Sequence, residues 1–209
     1  MDMDPDEIMV LAGALNLRRR LAAGVTTVRD NGARNRVGFM IREGIRRGYV
    51  PGPRMLACGR PITATGGHFH WCHETADGEE EIRRSVRRLV HEGADHIKIM
   101  ASGGNTRGTF PGPPSYTEAE LRAAAEEAHT FGRLTVVHCR ARESMIRAVR
   151  AGLDLMEHAE FLDPDGVPCY DARIVDMMRE SGMFVSPTLQ APPAIPSSWR
   201  CGASARRRV

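Results

Sequence analysis

Short apolar segments alternate along the chain with longer segments whose apolar residues recur every three or four positions. Most of the short segments are continuously apolar, as are strands that a parallel sheet buries on both faces. They predict six strands, at residues 25–28, 54–58, 96–100, 134–138, 153–157 and 183–186. A first helix over about residues 5–23 has no strand before it, and strands and helices then alternate.

The segments between the strands carry signals typical of helices. Residues 79–92 place apolar side chains at helical spacing and begin with three glutamates, which suit the first turn of a helix. Thr117 and Glu120 have the spacing of a capping box, and Asp171 predicts another N-cap. A glycine ends each helical segment, where it supplies the left-handed cap conformation: these are Gly24, Gly48, Gly93, Gly132, Gly152 and Gly182.

Alternating strands and helices indicate an α/β fold with a parallel sheet. An open doubly wound sheet is one solution, but no G-x-G-x-x-G follows the first strand. The other solution is a (β/α)8 barrel, which normally needs about 250 residues. The chain has 209 residues, which is short of that by about one strand–helix unit at each end. We therefore expect an incomplete (β/α)8 TIM-type barrel with about six parallel strands and flanking helices.

We predict that this partial barrel forms one domain over residues 1–189. The sequence changes character after it, because residues 190–209 contain PPAIP, small residues and a final run of arginines without strand or helix periodicity. We interpret residues 190–209 as an irregular tail, and our hypothesis is that this tail is not native to the domain.

Composition excludes several classes of protein. The net charge is only +3 and aromatic residues make up 5% of the chain, so no basic surface interleaved with aromatics predicts a nucleic-acid partner. The first residues, MDMDPDEIM, are acidic, and no apolar run approaches transmembrane length. The five cysteines include no C-x-x-C pair that would indicate a zinc ribbon. We therefore expect a cytoplasmic protein without membrane or nucleic-acid partners.

Three residues with reactive or metal-binding side chains each end an apolar run: Lys98, His138 and His158. In a parallel barrel, the carboxyl ends of the strands meet at the catalytic face. A buried lysine can be a nucleophile, a Schiff-base former or, once carboxylated, a metal ligand. Alternatively, Lys98 simply pairs with an acid such as Asp95. Neutral imidazoles are common ligands of catalytic zinc, so the two histidines favour a metal site.

The motifs and their order resemble the metal-dependent amidohydrolase superfamily, with the imidazolonepropionase-like and prolidase-like branch nearest and with both ends truncated. The matching segments are GVTTVRD, GPRML, the GGH before Phe69, ADHIKIMASGG, SYTEAEL, AAAEEAH, VVHC and MEHAEFLD. The resemblance implies one or two divalent metal ions, usually zinc, held by the barrel. It implies that Lys98 is the carboxylated bridging lysine of the fourth strand and that His138 and His158 are ligands from the fifth and sixth.

The implied chemistry is hydrolysis of a C–N bond in an amide, peptide or cyclic amide by metal-activated water. The family also carries an H-x-H pair on its first strand and an aspartate on its eighth, and neither motif stands where it should in this chain. We therefore expect activity to be impaired. Two alternatives stay open: a non-catalytic barrel remnant or interaction module, and a Schiff-base lyase that uses Lys98.

Loops at the same barrel face supply candidates for substrate binding. His68 lies in a glycine-rich loop, Arg140 follows His138 by two residues, and Tyr116 lies in the long segment after Lys98. The sequence HFHWCH at residues 68–73 also allows an independent metal site. Glu157 and Glu160 flank His158 and are candidates for orienting it.

The resemblance implies a small amide-like molecule as substrate. An unclosed barrel exposes strand edges. A second copy of the chain could cover these edges, which allows a homo-oligomer.

Overall fold

The computed structural model describes residues 4–188, which form six α-helices and six strands in the predicted alternating order. The strands are β1 (Thr27–Asp30), β2 (Arg54–Ala57), β3 (His96–Met100), β4 (Leu134–Ala141), β5 (Leu155–Leu162) and β6 (Phe184–Ser186). The helices are α1 (Asp6–Ala22), α2 (Val37–Arg46), α3 (Glu79–His91), α4 (Glu118–Thr130), α5 (Arg142–Arg150) and α6 (Ala172–Ser181). The predicted α/β class is confirmed.

Every pairing between neighbouring strands is parallel. One sheet has the order β1-β2 and the other the order β3-β4-β5-β6. The chain beyond β2 joins them, because Ile62 donates its N–H to the carbonyl of Lys98 at 2.8 Å and accepts from the N–H of Met100 at 2.9 Å. The six strands therefore follow one another in chain order, as in a barrel. Within residues 4–188, β6 does not pair with β1, so these residues do not close the barrel.

The central strand β3 separates two environments. Ile97 and Ile99 are buried in the main apolar core with residues of the helices, including Ile82 and Leu121. Since side chains alternate along a strand, Lys98 lies on the opposite face of β3. The helices thus cover one face of the sheet, and the other face carries the candidate chemistry.

The predicted helix ends are confirmed in detail. The Thr117 side chain accepts from the N–H of Glu120, and the Glu120 carboxylate accepts in return from the N–H of Thr117. Asp171 caps α6 by accepting from the N–H of Arg173. All six glycines expected after helices have positive φ: Gly24, Gly48, Gly93, Gly132, Gly152 and Gly182.

Several strand boundaries differ from the predicted ones. β1 lies two residues later than expected, β4 continues to Ala141, past the predicted end at residue 138, and β5 continues to Leu162, past the predicted end at residue 157. The extension of β5 passes through residues with positive φ, which an apolar pattern does not reveal. None of the helices within residues 4–188 is both long and apolar enough to cross a bilayer. The predicted tail, residues 190–209, lies outside the described part of the chain, and the domain boundary at 189 stays a prediction.

Candidate metal centre

Strand register places three of the chemically important side chains on one face of the sheet. Lys98 pairs in register with Val136, and His138 lies two residues beyond Val136 on β4. His138 in turn pairs with Glu157 of β5. Because paired residues share a face and alternate residues return to it, Lys98, His138 and Glu157 all lie on the face away from the helices. Lys98 is 1% exposed, and the two others are also buried.

His158 reaches this face by a break in the regular strand. Simple alternation would turn His158 away, since it follows Glu157 directly. However, His158 and Ala159 have φ of 72° and 49°, and the pairing register shifts between Cys139 and Ala141. The centroid of the His158 ring consequently lies 4.6 Å from that of His138. Left-handed backbone in residues other than glycine costs roughly 1–3 kcal/mol and is concentrated at functional sites.

The partner of Lys98 is Glu157, at 2.5 Å between Nζ and Oε2. Burial lowers the pKa of Lys98, and the neighbouring Glu157 carboxylate opposes this shift. Lys98 is thus paired with an acid, as the alternative interpretation expected, but the acid is Glu157 and not Asp95. Asp95 instead accepts from Arg42 at 2.5 Å and from the N–H of Ala57 at 2.8 Å. Among residues 4–188, the ammonium therefore has one carboxylate partner, which is itself buried.

A second set of polar groups holds Glu157 in place. Its other oxygen, Oε1, accepts a short hydrogen bond from Asn31 and contacts the Arg29 guanidinium at 3.4 Å. The Asn31 Oδ1 atom lies 3.0 Å from His96 Nε2, so His96 belongs to the interior network that anchors Lys98. Sequence reasoning missed Asn31 and gave Glu157 only a role beside His158. The single available signal was the position of Asn31 just after the first strand.

Three imidazole rings adjoin one another on the same face. The ring centroid of His138 lies 4.6 Å from those of both His68 and His158. Burial lowers the pKa of all three, to about 4 for His68. The imidazoles are therefore neutral at pH 7, the form in which histidine binds a metal.

Hydrogen bonds fix how these rings are turned. His138 Nε2 lies 3.0 Å from the Gly103 carbonyl, which can only accept, so Nε2 carries the proton and Nδ1 keeps the lone pair. His158 Nδ1 contacts the Thr188 hydroxyl, and His68 Nδ1 contacts the Thr106 hydroxyl, both at 2.7 Å. Each ring thus has one nitrogen held by the protein and a second available for other chemistry.

The donor atoms fit a divalent metal in kind. Two neutral imidazoles and one lysine that becomes an oxygen donor on carboxylation make three protein ligands, the number in a catalytic zinc site. In the described part of the chain, no group of three His, Cys, Asp or Glu side chains is already arranged to hold an ion. Lys98, His138 and His158 are therefore brought together as predicted, while their assignment as catalytic and metal-binding residues stays a prediction.

The other predicted candidates have different surroundings. His68 is buried against His138 and adjoins the centre. His70 is exposed on a 3₁₀ turn, and within residues 4–188 the HFHWCH segment forms no independent metal cluster. Arg140 lies two residues beyond His138 on β4 and is ion-paired with Glu160 at 2.8 Å.

Tyr116 has a structural contact in this part of the chain. It is buried, and its hydroxyl donates to the Ala76 carbonyl at 2.8 Å. This hydrogen bond ties the segment after β3 to the segment after β2. A role of Tyr116 in substrate binding stays a prediction.

The sequence profile of the Amidohydrolase family matches residues 2–198, so this chain belongs to that family. Among curated proteins, it is similar to the ochratoxinase of Aspergillus niger, with 27% identity over 192 aligned positions that cover 78% of this chain and 37% of the relative.

Comparison with solved structures also finds similar folds. The fold is similar to a Xaa-Pro dipeptidase with bound methionine, with a TM-score of 0.80 and 29% identity over 87% of this chain and 46% of the other. It is also similar to a prolidase complexed with N-methylphosphonate-L-proline, with a TM-score of 0.79 and 29% identity over 90% and 48% of the two chains. The expected barrel family is confirmed, and the chain spans less than half the length of these relatives.

Proposed function

We propose that this chain carries part of the centre of a metal-dependent hydrolase that cleaves a C–N bond in an amide, peptide or cyclic amide. The observation that supports this most directly is the meeting of Lys98, His138 and His158 from three consecutive strands. Membership of the Amidohydrolase family supports the same reaction class. A bound divalent ion, with zinc as our expectation, would supply an electrophile for the carbonyl and lower the pKa of water.

The chain's own residues would prepare this site in two ways. His138 would offer Nδ1 because Gly103 holds its Nε2 proton, and His158 would offer the nitrogen that Thr188 does not hold. Lys98 would become a ligand by carboxylation, in which its neutral amine forms an N–C bond to carbon dioxide and releases a proton. The burial that lowers its pKa favours that neutral amine, while Glu157 must give up its ammonium partner.

We expect the substrate to be a small amide-like molecule. The dipeptidase and prolidase that this chain resembles are named for peptide substrates, which favours an acylated amino acid or a dipeptide. His68 adjoins the centre, and the Arg140 guanidinium could hold a substrate carboxylate if Glu160 releases it. Both residues stay candidates for substrate binding.

We also propose that residues 4–188 by themselves bind metal but hydrolyse substrate only slowly. Glu157 is the carboxylate that the centre contains in this part of the chain, and it is committed to Lys98 and Asn31. Among the described residues, the centre therefore offers no carboxylate that is free to act as a general base for water. A cytoplasmic location and a homo-oligomer that covers the strand edges complete the proposal.

The test measures metal content and hydrolysis together on the full chain. We expect bound zinc after dialysis, and slow hydrolysis of an N-acyl amino acid or dipeptide panel that a chelator abolishes and added zinc restores. Full activity that survives the chelator would contradict the proposal. Trapping of a carbonyl compound on Lys98 by borohydride would favour the Schiff-base lyase instead.

A further inference from the structure

A cavity lies beside the candidate centre, between the segment after β2 and the segment after β3. Its volume is about 250 Å³. Pockets that hold drug-sized ligands are roughly 300–1,000 Å³, whereas an apolar cavity of about 150 Å³ holds benzene. The cavity therefore has room for a single side chain of a ligand, and it is open to solvent on its outer side. It is lined by residues 64–67, 103, 108–110 and 113–115.

Glycine backbone forms much of the wall nearest the centre. A Cβ atom at Gly103 would lie 2.0 Å from the Phe110 carbonyl oxygen, and one at Gly104 would lie 2.6 Å from the His68 ring. The segment can fold back over the strands because these side chains are absent. Since the Gly103 carbonyl also accepts from His138, this wall is directly joined to one of the proposed ligands.

The two segments are also tied to each other. The Thr106 hydroxyl contacts His68 Nδ1 at 2.7 Å and accepts from the N–H of Phe69 at 3.1 Å. Gly112 packs closely against the backbone of Asp163 and Pro164, which follow β5. The segment after β3 is therefore held between its neighbours on both sides, and the cavity has defined walls.

The lining is uncharged, although charged residues make up 26% of the chain. Phe110, Pro113 and Pro114 supply apolar rings. Two of the lining hydroxyls already have partners, because Thr65 is bonded to Asp77 and Thr109 to the Gly104 and Thr106 carbonyls. A charged side chain would find no counter-ion in this lining, whereas an apolar one would contact the rings of Phe110, Pro113 and Pro114.

From these observations we propose that the cavity is a subsite for an uncharged, apolar side chain of aromatic size. The inference rests on the proposed function, since it makes the substrate an acylated amino acid or dipeptide with such a residue next to the scissile bond. Phe110 is 75% exposed and would cover the bound ring. It is a specificity-determining residue in this proposal.

The test uses N-acetyl-L-phenylalanine, N-acetyl-L-alanine and N-acetyl-L-glutamate as probes of the full chain labelled with ¹⁵N-glycine. Binding of the phenylalanine derivative should shift the amide signals of the lining glycines: Gly66, Gly67, Gly103 and Gly108. Glycines at helix ends, such as Gly24 and Gly182, serve as internal controls and should not shift. We expect binding about tenfold tighter than for the alanine derivative, because the ring adds buried apolar area.

Equal affinity for all three probes, or shifts spread over all the glycines, would overturn the proposal. Phe110→Ala should weaken binding of the phenylalanine probe about three- to tenfold and leave the alanine probe unaffected, because only the larger side chain reaches the Phe110 ring. Tyr49→Ala is the matched control, since Tyr49 is equally exposed at 75% and lies outside the cavity. An identical loss in both variants would also overturn the proposal.

Failure of the subsite and failure of the metal centre give different results. Zinc binding that persists while the probes show no selectivity would refute the subsite alone. Selective probe binding in a chain that takes up no zinc would refute the metal-dependent function and leave the cavity as an apolar side-chain site.

Discussion

The strands β3 and β6 arise from similar apolar segments, HIKIM and MFVS, yet they end in different surroundings. All five residues of β3 are buried, whereas Phe184 of β6 is 72% exposed and Val185 is also exposed. β3 pairs with β4 on one side and with the segment around Ile62 on the other, and helices cover it, while β6 pairs only with β5 among the described residues. An apolar run thus indicates that a segment is suited to a buried position. The neighbouring elements determine how much of the segment is actually buried.

The same contrast divides the candidate centre. Lys98 and His138 lie on buried strands with fixed partners. His158 is only half-buried, depends on left-handed backbone and is held by the exposed Thr188. The interior part of the centre is therefore built into the core, whereas the part near β6 depends on local geometry. The predictions below test this difference.

The largest effect is expected for Lys98→Met. The substitution leaves the buried Glu157 carboxylate without its ammonium partner, which should reduce the free energy of unfolding by about 3–5 kcal/mol. Urea denaturation measures the change. Glu157→Gln on the Lys98→Met background removes the carboxylate charge that has lost its ammonium partner and should restore a large part of the loss. No recovery in the double variant would show that packing, not charge pairing, dominates at this position.

Substitutions that shorten a side chain should destabilise the protein more in β3 than in β6. Ile99→Ala in β3 removes a fully buried side chain and should cost about 2–5 kcal/mol in unfolding free energy. Val185→Ala in β6 should cost less than about 0.5 kcal/mol, because an exposed side chain loses few contacts. Similar costs for the two substitutions would contradict the burial difference, and a large cost at Val185 would reveal a partner on the β6 edge.

Gly103→Ala tests the close backbone approach beside the centre. The added Cβ would lie 2.0 Å from the Phe110 carbonyl oxygen, so the loop must move and the Gly103–His138 hydrogen bond must weaken. We expect a loss of about 1–3 kcal/mol of stability, together with weaker zinc binding. Gly112→Ala, which meets the Asp163 and Pro164 backbone instead, is the control, and it should destabilise the loop without changing the affinity for zinc.

The last prediction concerns Asp30 at the end of β1. Burial raises its pKa from 3.8 to about 6, and its Oδ2 atom has no hydrogen-bond partner among the described residues. Because the folded state holds this proton more tightly than the unfolded state, Asp30 lowers stability as the pH rises from about 4 to about 6. Asp30→Asn should remove this pH dependence and stabilise the chain at pH 7 by at most about 3 kcal/mol, at about 1.4 kcal/mol per pKa unit. Unchanged pH dependence of thermal unfolding would contradict a buried carboxylate.

The sequence predicted the regular parts of the molecule well because they follow local rules. Strand alternation, the Thr117 capping box and the positive φ of the glycines after helices were all accessible from pattern alone. The partner of Lys98 was not, since Glu157 lies 59 positions away and is brought close only by register. Parity along β3 does argue against Asp95, which lies three positions from Lys98 and thus on the other face.

Two further features of the site could not be predicted from the local sequence. The turn of His158 onto the interior face depends on its positive φ. Histidine adopts positive φ more often than most residues other than glycine, but such cases remain a small minority, so the residue type alone does not predict the turn. The burial of Tyr116 depends on the Ala76 carbonyl, 40 positions away. Both are consequences of tertiary packing, so the sequence pattern alone could not indicate which contacts these side chains make.

Zinc content after exhaustive dialysis, measured on the full chain and two histidine variants, tests the central claim most directly. His138→Ala removes a proposed ligand, and His91→Ala removes an exposed histidine of α3 as the matched control. The account predicts about one zinc ion per chain, as expected for a site with three protein ligands, lost in the His138 variant and kept in the His91 variant. Equal zinc content in both variants, or none in the parent chain, would contradict it.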